Sequence, residues 1–251
     1  MGILNITPDS FSDGGAFFNT EAAVRRARQM EEEGADMIDI GAQSTRPGAT
    51  PLSETEERAR LVPVLKALEG TLSVPVSVDT FFPSVADAAL SHGASILNDV
   101  TGFRNPAMVR LVSQSDCGCI FMHPGGVKNR ADLVNEVHRD LEETFFLLNN
   151  AGIPENRLCA DAGIGFGKTP QECLTLIRET ARVRLSACAY LVGASRKRFI
   201  GEATGEENPQ NRLAGTVAAD TAAQLFGADI LRVHDVAAAV QAARLTDALK
   251  G

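Results

Sequence analysis

Apolar positions along this chain fall into two kinds of run that alternate from end to end. Short, nearly continuous apolar stretches predict eight β-strands: "GILNI" (2–6), "DMIDIG" (36–41), "PVSVDT" (75–80), "SILNDV" (95–100), "GCIFMH" (118–123), "RLCADAG" (157–163), "AYLVGAS" (189–195) and "DILRVH" (229–234). Between them, apolar residues recur at helical spacing. "TEAAVRRARQMEEEGA" predicts a helix capped at Thr20 and ending at Gly34, and "SETEERARLVPVLKAL" one with Ser53 as N-cap and acids in its first turn. "RADLVNEVHRDLEETFFLLNNAG" is amphipathic and stops at Gly152, and two alanine-rich helices start near 209 and 235.

Several predicted helices run into the next strand through the same turn: "GADMIDI", "HGASILND", "GADILRV". A glycine there supplies the left-handed position that ends a helix. The turn recurs at roughly the size of one βα unit. Eight such units without a break in composition predict one domain over 1–251, a (β/α)₈ TIM barrel. A doubly wound open sheet is the second choice, but it usually carries a G-x-G-x-x-G turn after its first strand, and none is present.

A barrel makes a sharp expectation, because its active site lies where the strands end. The predicted strands finish on Asn5 and Thr7, Asp39, Asp79, Asn98 and Asp99, Met122 and His123, Asp161, "SRKR" (195–198), and Arg232 and His234. Helix caps explain Asp, Asn and Ser at such places. They do not explain Arg, Lys or His, which the helix N-terminus disfavours, so strands 7 and 8 point most clearly to function. The first connection, "TPDSFSDGG", is longer than a bare link needs and ends on Gly14 and Gly15, candidate hinges of a loop over the mouth.

Composition narrows the classes. In 251 residues, 44% are hydrophobic, with no Trp and one Tyr, so a full and mostly aliphatic core is expected. A formal net charge of −8 argues against a general nucleic-acid or membrane-surface binder, while leaving room for a local anion site. The five cysteines, at 117, 119, 159, 173 and 188, form no C-x-x-C pair and are expected to be reduced and structural. With no signal peptide and no apolar run of membrane-spanning length, a cytoplasmic protein is expected.

Seven stretches, taken in order, also resemble a known family: "GILNITPDSFSDGG", "STRPGA", "VSVDT", "ILNDV", "DAGIGFGK", "VGASRKRFIG" and "LRVHD". Together they resemble dihydropteroate synthase from the first residues to about 236. The resemblance implies a (β/α)₈ barrel in folate biosynthesis. Such a barrel condenses 6-hydroxymethyl-7,8-dihydropterin diphosphate with para-aminobenzoate to 7,8-dihydropteroate and pyrophosphate, uses Mg²⁺ and is blocked by sulfonamides. It further implies a homodimer formed through outer helices.

By the same resemblance, Asp79, Asn98, Asp161 and Lys197 would hold the pterin with Met122 and Phe166, and Asp161 would take its fork of N–H donors. A buried carboxylate suits such a fork. Asn5, Arg46, Arg232 and His234 would hold the diphosphate, with Asn5 also linked to the metal. Phe11, Thr45, Arg46, Pro47 and Ser195 would form the aminobenzoate site. Lys197, Asp79, Asp161 and Arg232 would carry the catalytic burden. Each residue also has an ordinary reading when taken alone: Asp79 and Asp161 as caps or ion-pair members, Asn5 as a turn residue, His234 as a core or cap residue, and "IGFGK" as a plain βα turn.

The chain departs from the family's usual pattern at Ala42 and Gln43, where Gly-Glu is usual, and at Ala162, where Pro is usual. Pro124 follows the strand 5 histidine in place of Met or Gln, and Arg198 stands where Ser is common. These departures leave open a non-catalytic pterin-binding paralogue. A pterin-binding methyltransferase barrel is the other alternative.

Overall fold

In the computed structural model, residues 1–6, 16–43 and 51–250 are described. Eight parallel strands, β1 (Gly2–Asn5), β2 (Ile38–Gly41), β3 (Val76–Asp79), β4 (Ile96–Asp99), β5 (Gly118–Met122), β6 (Leu158–Asp161), β7 (Ala189–Val192) and β8 (Ile230–Leu231), pair in sequence order. The sheet closes on itself: Val233, just beyond β8, bridges to Gly2, donating to the Met1 carbonyl at 2.9 Å and accepting from Ile3 at 2.8 Å. This is the predicted (β/α)₈ barrel. All eight expected strands are present, each shorter than its apolar run. The runs also include residues that leave the sheet toward the mouth, among them Thr80, His123, Ser195, Arg232 and His234.

The helices around it are α1 (Ala16–Glu32), α2 (Glu54–Leu68), α3 (Pro83–Ser91), α4 (Pro106–Ser113), α5 (Leu133–Asn150), α6 (Pro170–Arg178), α7 (Thr180–Val183), α8 (Arg198–Thr204), α9 (Leu213–Leu225) and α10 (Val236–Lys250). Ser53 caps α2 as expected: its Oγ accepts from the Glu56 N–H at 3.3 Å, and the Glu56 carboxylate accepts from the Ser53 N–H at 2.9 Å. Thr169 and Glu172 build the same box before α6, behind Pro170. Thr20, by contrast, is not the N-cap of α1, because α1 begins at Ala16. No Gly or Pro lies between 16 and 20 to stop the helix from winding back a further turn. The recurrent glycine turns fall as expected: Gly34, Gly93 and Gly227 have φ of 95°, 87° and 108°.

Period-two alternation sends the two sides of each strand into different cores. Ile38, Ile40, Val78, Leu97, Phe121 and Val192 belong to the large core shared with the helices. The alternate residues face the barrel axis. At the lower end these are apolar: Met1, Ile120, Cys159 and Leu191 form a separate small core, joined by Met37, Ile96, Ala189 and Ile230. Two residues further along the same strands the interior turns polar: Met37 gives way to Asp39, Ile96 to Asn98, Cys159 to Asp161 and Ile230 to Arg232. All five cysteines are free and buried. Among the described residues no helix is long and apolar enough to cross a membrane.

Candidate active site

The polar layer is built around Asp39, which is 0% exposed. One oxygen accepts from Ser77 Oγ at 2.6 Å; the other accepts from Asn98 Nδ2 at 3.1 Å and Arg232 Nε at 2.7 Å. A fully buried carboxylate needs such a set of donors. The Arg232 guanidinium also reaches Asp79, Nη2 to Oδ2 at 3.2 Å. One cation thus serves two carboxylates, and Asp79 holds the longer contact. Burial, together with the charge of Asp39, pushes the Asp79 carboxyl up to about 7 despite the pull of Arg232. Burial opposes the charge on Arg232, but the two aspartates outweigh it and raise its pKa.

On the opposite wall, Asp161 ends β6 and is also pushed up by burial. Its Oδ1 accepts from the Gly163 N–H at 2.7 Å, which fixes the turn after the strand. Lys197 comes over from the loop after β7. Its ammonium donates to the Ile164 carbonyl and lies 4.9 Å from the centroid of the Phe166 ring. Burial lowers its pKa to about 8, partly offset by Asp161. Met122 is buried at the end of β5, opposite Asp161 in the ladder.

The last two loops are joined directly. The His234 N–H donates to Ser195 Oγ at 3.2 Å, and the Ser195 hydroxyl and His234 Nδ1 share a second hydrogen bond of 2.9 Å. Burial and the nearby Arg196 and Arg232 charges lower His234 to about 4, so the ring is neutral at pH 7. Asn5 ends β1 opposite Gly41, half-buried on the interior side by alternation.

The structure therefore brings Asn5, Asp79, Asn98, Met122, Asp161, Phe166, Ser195, Lys197, Arg232 and His234 to one end of the barrel, at or just beyond the strand C-termini. Phe11, Thr45, Arg46 and Pro47, like Gly14 and Gly15, lie outside the described residues.

Known proteins resemble this chain along nearly its whole length. A family model described as pterin binding enzyme matches residues 1–234. The chain is 39% identical to the dihydropteroate synthase of Clostridium beijerinckii, covering 98% of this chain and 92% of that protein. For the Bacillus subtilis dihydropteroate synthase the identity is 40%, covering 99% and 87%. The chain belongs to the dihydropteroate synthase family. It also matches the folate synthesis bifunctional protein of Arabidopsis thaliana at 44% identity, spanning 56% of that protein's length. Among solved structures, Xanthomonas albilineans dihydropteroate synthase with 4-aminobenzoic acid superposes with a TM-score of 0.95 at 46% identity, covering 100% of this chain and 92% of that one. The same enzyme in complex with 7,8-dihydropteroate gives 0.92 at 42% identity, covering 100% and 93%.

Within the family frame the departures have local explanations. Gln43 uses both ends of its amide: Oε1 accepts from the Leu52 N–H at 3.0 Å, and Nε2 donates to the buried Glu57 carboxylate at 2.6 Å. A glutamate at 43 would set two carboxylates against each other there, whereas the amide ties the end of β2 to the start of α2. Arg198 is exposed and pairs along α8 with Glu202 at 3.2 Å.

Two further groups belong to the polar layer. Asp39, its hub, stands among the predicted strand ends, but the sequence assigns it no role, since a single acid alternating with isoleucines in "MIDIG" does not show its partners. Lys168 was not singled out at all. It is buried, with its ammonium on His123 Nδ1 at 3.0 Å and on the carbonyls of Gly163 and Phe166 at 3.1 and 3.2 Å. The Gly125 N–H also points to His123 Nδ1, at 3.2 Å. That nitrogen is the acceptor, and the ring proton sits on Nε2. Lys168 thus fastens from below the loop that carries Phe166.

Proposed function

We propose that this chain joins a dihydropterin diphosphate to para-aminobenzoate, giving 7,8-dihydropteroate and pyrophosphate. One observation carries the reading: acids raised by burial, Asp79 and Asp161, face two cations, Lys197 and Arg232, across one barrel mouth. A pterin offers N–H donors on its pyrimidine edge, which suit Asp161 and Asp79, while its ring fits beside Phe166 and Met122. Arg232, His234 and Arg46 supply donors for the diphosphate. Ser195, Phe11, Thr45 and Pro47 are assigned to the aminobenzoate.

In this reading the bond from the pterin methylene carbon to the diphosphate oxygen breaks first. The pair of electrons leaves with the diphosphate, and Arg232 and His234 stabilise the growing charge. The arylamine nitrogen, already unprotonated at neutral pH, then attacks the methylene carbon and releases its proton. The buried acids favour the cation that forms between the two events. A closed mouth would keep water from trapping it.

Magnesium belongs to the same proposal. Among the described residues no three acidic, histidine or cysteine side chains cluster to hold a metal. Mg²⁺ commonly takes one or two protein oxygens and completes its shell with water and substrate phosphates, so a lone amide oxygen at Asn5 fits such an ion. When bound it would supply charge neutralisation for the diphosphate. The free, buried cysteines support a cytoplasmic setting. The exposed Leu225, Phe226, Leu245 and Leu249 on and beside α9 and α10 support a homodimer through outer helices.

The test is pyrophosphate release by the purified protein with dihydropterin diphosphate, para-aminobenzoate and Mg²⁺, omitting each in turn. Release that needs all three and yields dihydropteroate is expected. Pterin binding without release would leave a binding paralogue. Methyl transfer from a methylated pterin would indicate the methyltransferase barrel.

A further inference from the structure

Ser195 and Lys197 both face the site, and the residue between them does not. Arg196 is one of two non-glycine residues among those described with positive φ, at 58°. In that left-handed conformation its side chain leaves the mouth while its two neighbours enter it. The guanidinium then closes a fork on Asp235, Nε to Oδ2 at 3.0 Å and Nη2 to Oδ1 at 2.6 Å. Its remaining arm, Nη1, donates to Gln210 Oε1 at 2.6 Å. The backbone is held as firmly: the Arg196 N–H donates to Thr216 Oγ1 on α9 at 3.0 Å, and its carbonyl accepts from Arg212 Nη1 at 3.0 Å.

Asp235 is the residue after His234. The fork therefore lies beside the Ser195–His234 hydrogen bond, and two adjacent residues of one loop are zipped to two adjacent residues of the next. One of these loops carries Lys197. The other carries Arg232 and His234. We propose that Arg196 and Asp235 form a positioning clamp, which locks the pterin-side cation and the diphosphate-side donors into one rigid body. This rests on the site reading given above. The clamp touches no substrate. It sets the distance between the group that holds the pterin and the groups that receive the leaving diphosphate. Fork geometry suits that task, because two parallel N–H···O bonds fix direction as well as distance. Errors of about 1 Å in such placement lower turnover on the order of a hundredfold.

The experiment compares R196Q, D235N and the double variant in full-length protein, with R196G as a variant whose backbone accepts the left-handed turn without strain. Steady-state rates give kcat, and calorimetric titration gives the affinity for bare pterin, whose proposed contacts on Asp79, Asn98 and Asp161 lie outside the clamp and whose contact with Lys197 lies on it. Each single variant and R196G should lower kcat roughly ten- to a hundredfold. Bare-pterin affinity should fall by at most a few-fold in all of them, much less than kcat, because three of the four proposed polar contacts are untouched. The double variant should be no slower than the slower single, because both remove one interaction. Single effects that multiply in the double, or a pterin affinity that falls in step with kcat, would overturn the clamp. K197A, run alongside, separates the two claims. Clamp variants at wild-type kcat beside an inactive K197A overturn the clamp alone. A fully active K197A overturns the site reading and the clamp with it.

Discussion

The floor and the mouth of this barrel are built by the same strands, one side-chain repeat apart, and they do opposite work. At the floor, Met1, Ile120, Cys159 and Leu191 fill the interior with apolar atoms. Two residues on, the interior holds the buried Asp39, Asn98 and Asp161 and the half-buried Arg232. An apolar layer can close on itself and needs nothing from outside. The polar layer cannot, because Arg232 is one cation between two acids, and Asp79 and Asp161 keep a raised proton affinity. The mouth is thus left with electrostatic demand that a ligand's donors and charges can meet, whereas the floor supplies the stability that lets the mouth remain unsatisfied.

The division breaks most visibly at Lys197. Replacing it with methionine, a side chain of similar reach, should lower kcat for dihydropteroate formation by roughly 10²–10³, the cost of losing one preorganised charged donor. Stability should hold or rise, because burial works against the ammonium and holds its pKa at about 8. The folded chain then binds that proton less tightly than the unfolded one between about pH 8 and 10.4, and methionine removes the penalty present below that window. Urea midpoints beside initial rates test this. A K197M protein that unfolds early would place Lys197 among the structural residues.

The floor gives the converse. Leu191, fully buried inside the barrel, should cost about 3 kcal/mol of stability when cut to alanine. Turnover per folded molecule should stay within about twofold of wild type, since uniform loss of folded protein does not alter kcat. If L191A instead lowered kcat at a temperature where it is fully folded, floor packing would be transmitting strain to the polar layer. The separation of the two layers would then fail.

Much of this was legible in the chain because the signals are local. Each strand and its following helix repeat one pattern, so eight apolar runs and the glycine turns at 34, 93 and 227 specify a barrel without any knowledge of contacts. The ends of the strands could likewise be read as the mouth. The partners could not. Asp39 meets Arg232 across 193 positions, and Lys168 meets His123 across 45. No local preference encodes either pair; closure of the sheet alone makes them neighbours. The start of α1 was misread for the opposite reason. A good capping residue at Thr20 was outvoted by helix-compatible residues before it.

The last test asks whether the mouth carries unmet demand at all. Asp79 has its proton affinity raised to about 7, chiefly by burial, so between its ordinary value of 3.8 and that point the folded protein holds a proton that the unfolded chain has lost. This contribution is complete below the lower value and disappears as pH rises through the upper one. Asp79→Asn is neutral throughout and has no such dependence. Relative to wild type, its urea midpoint should therefore climb as pH goes from about 4 to about 8, with the climb complete near the upper end. A difference that stays flat over that range would mean that Asp79 is ionised from the start, as a full partner of Arg232. The mouth would then be as self-sufficient as the floor, and the contrast between them would vanish.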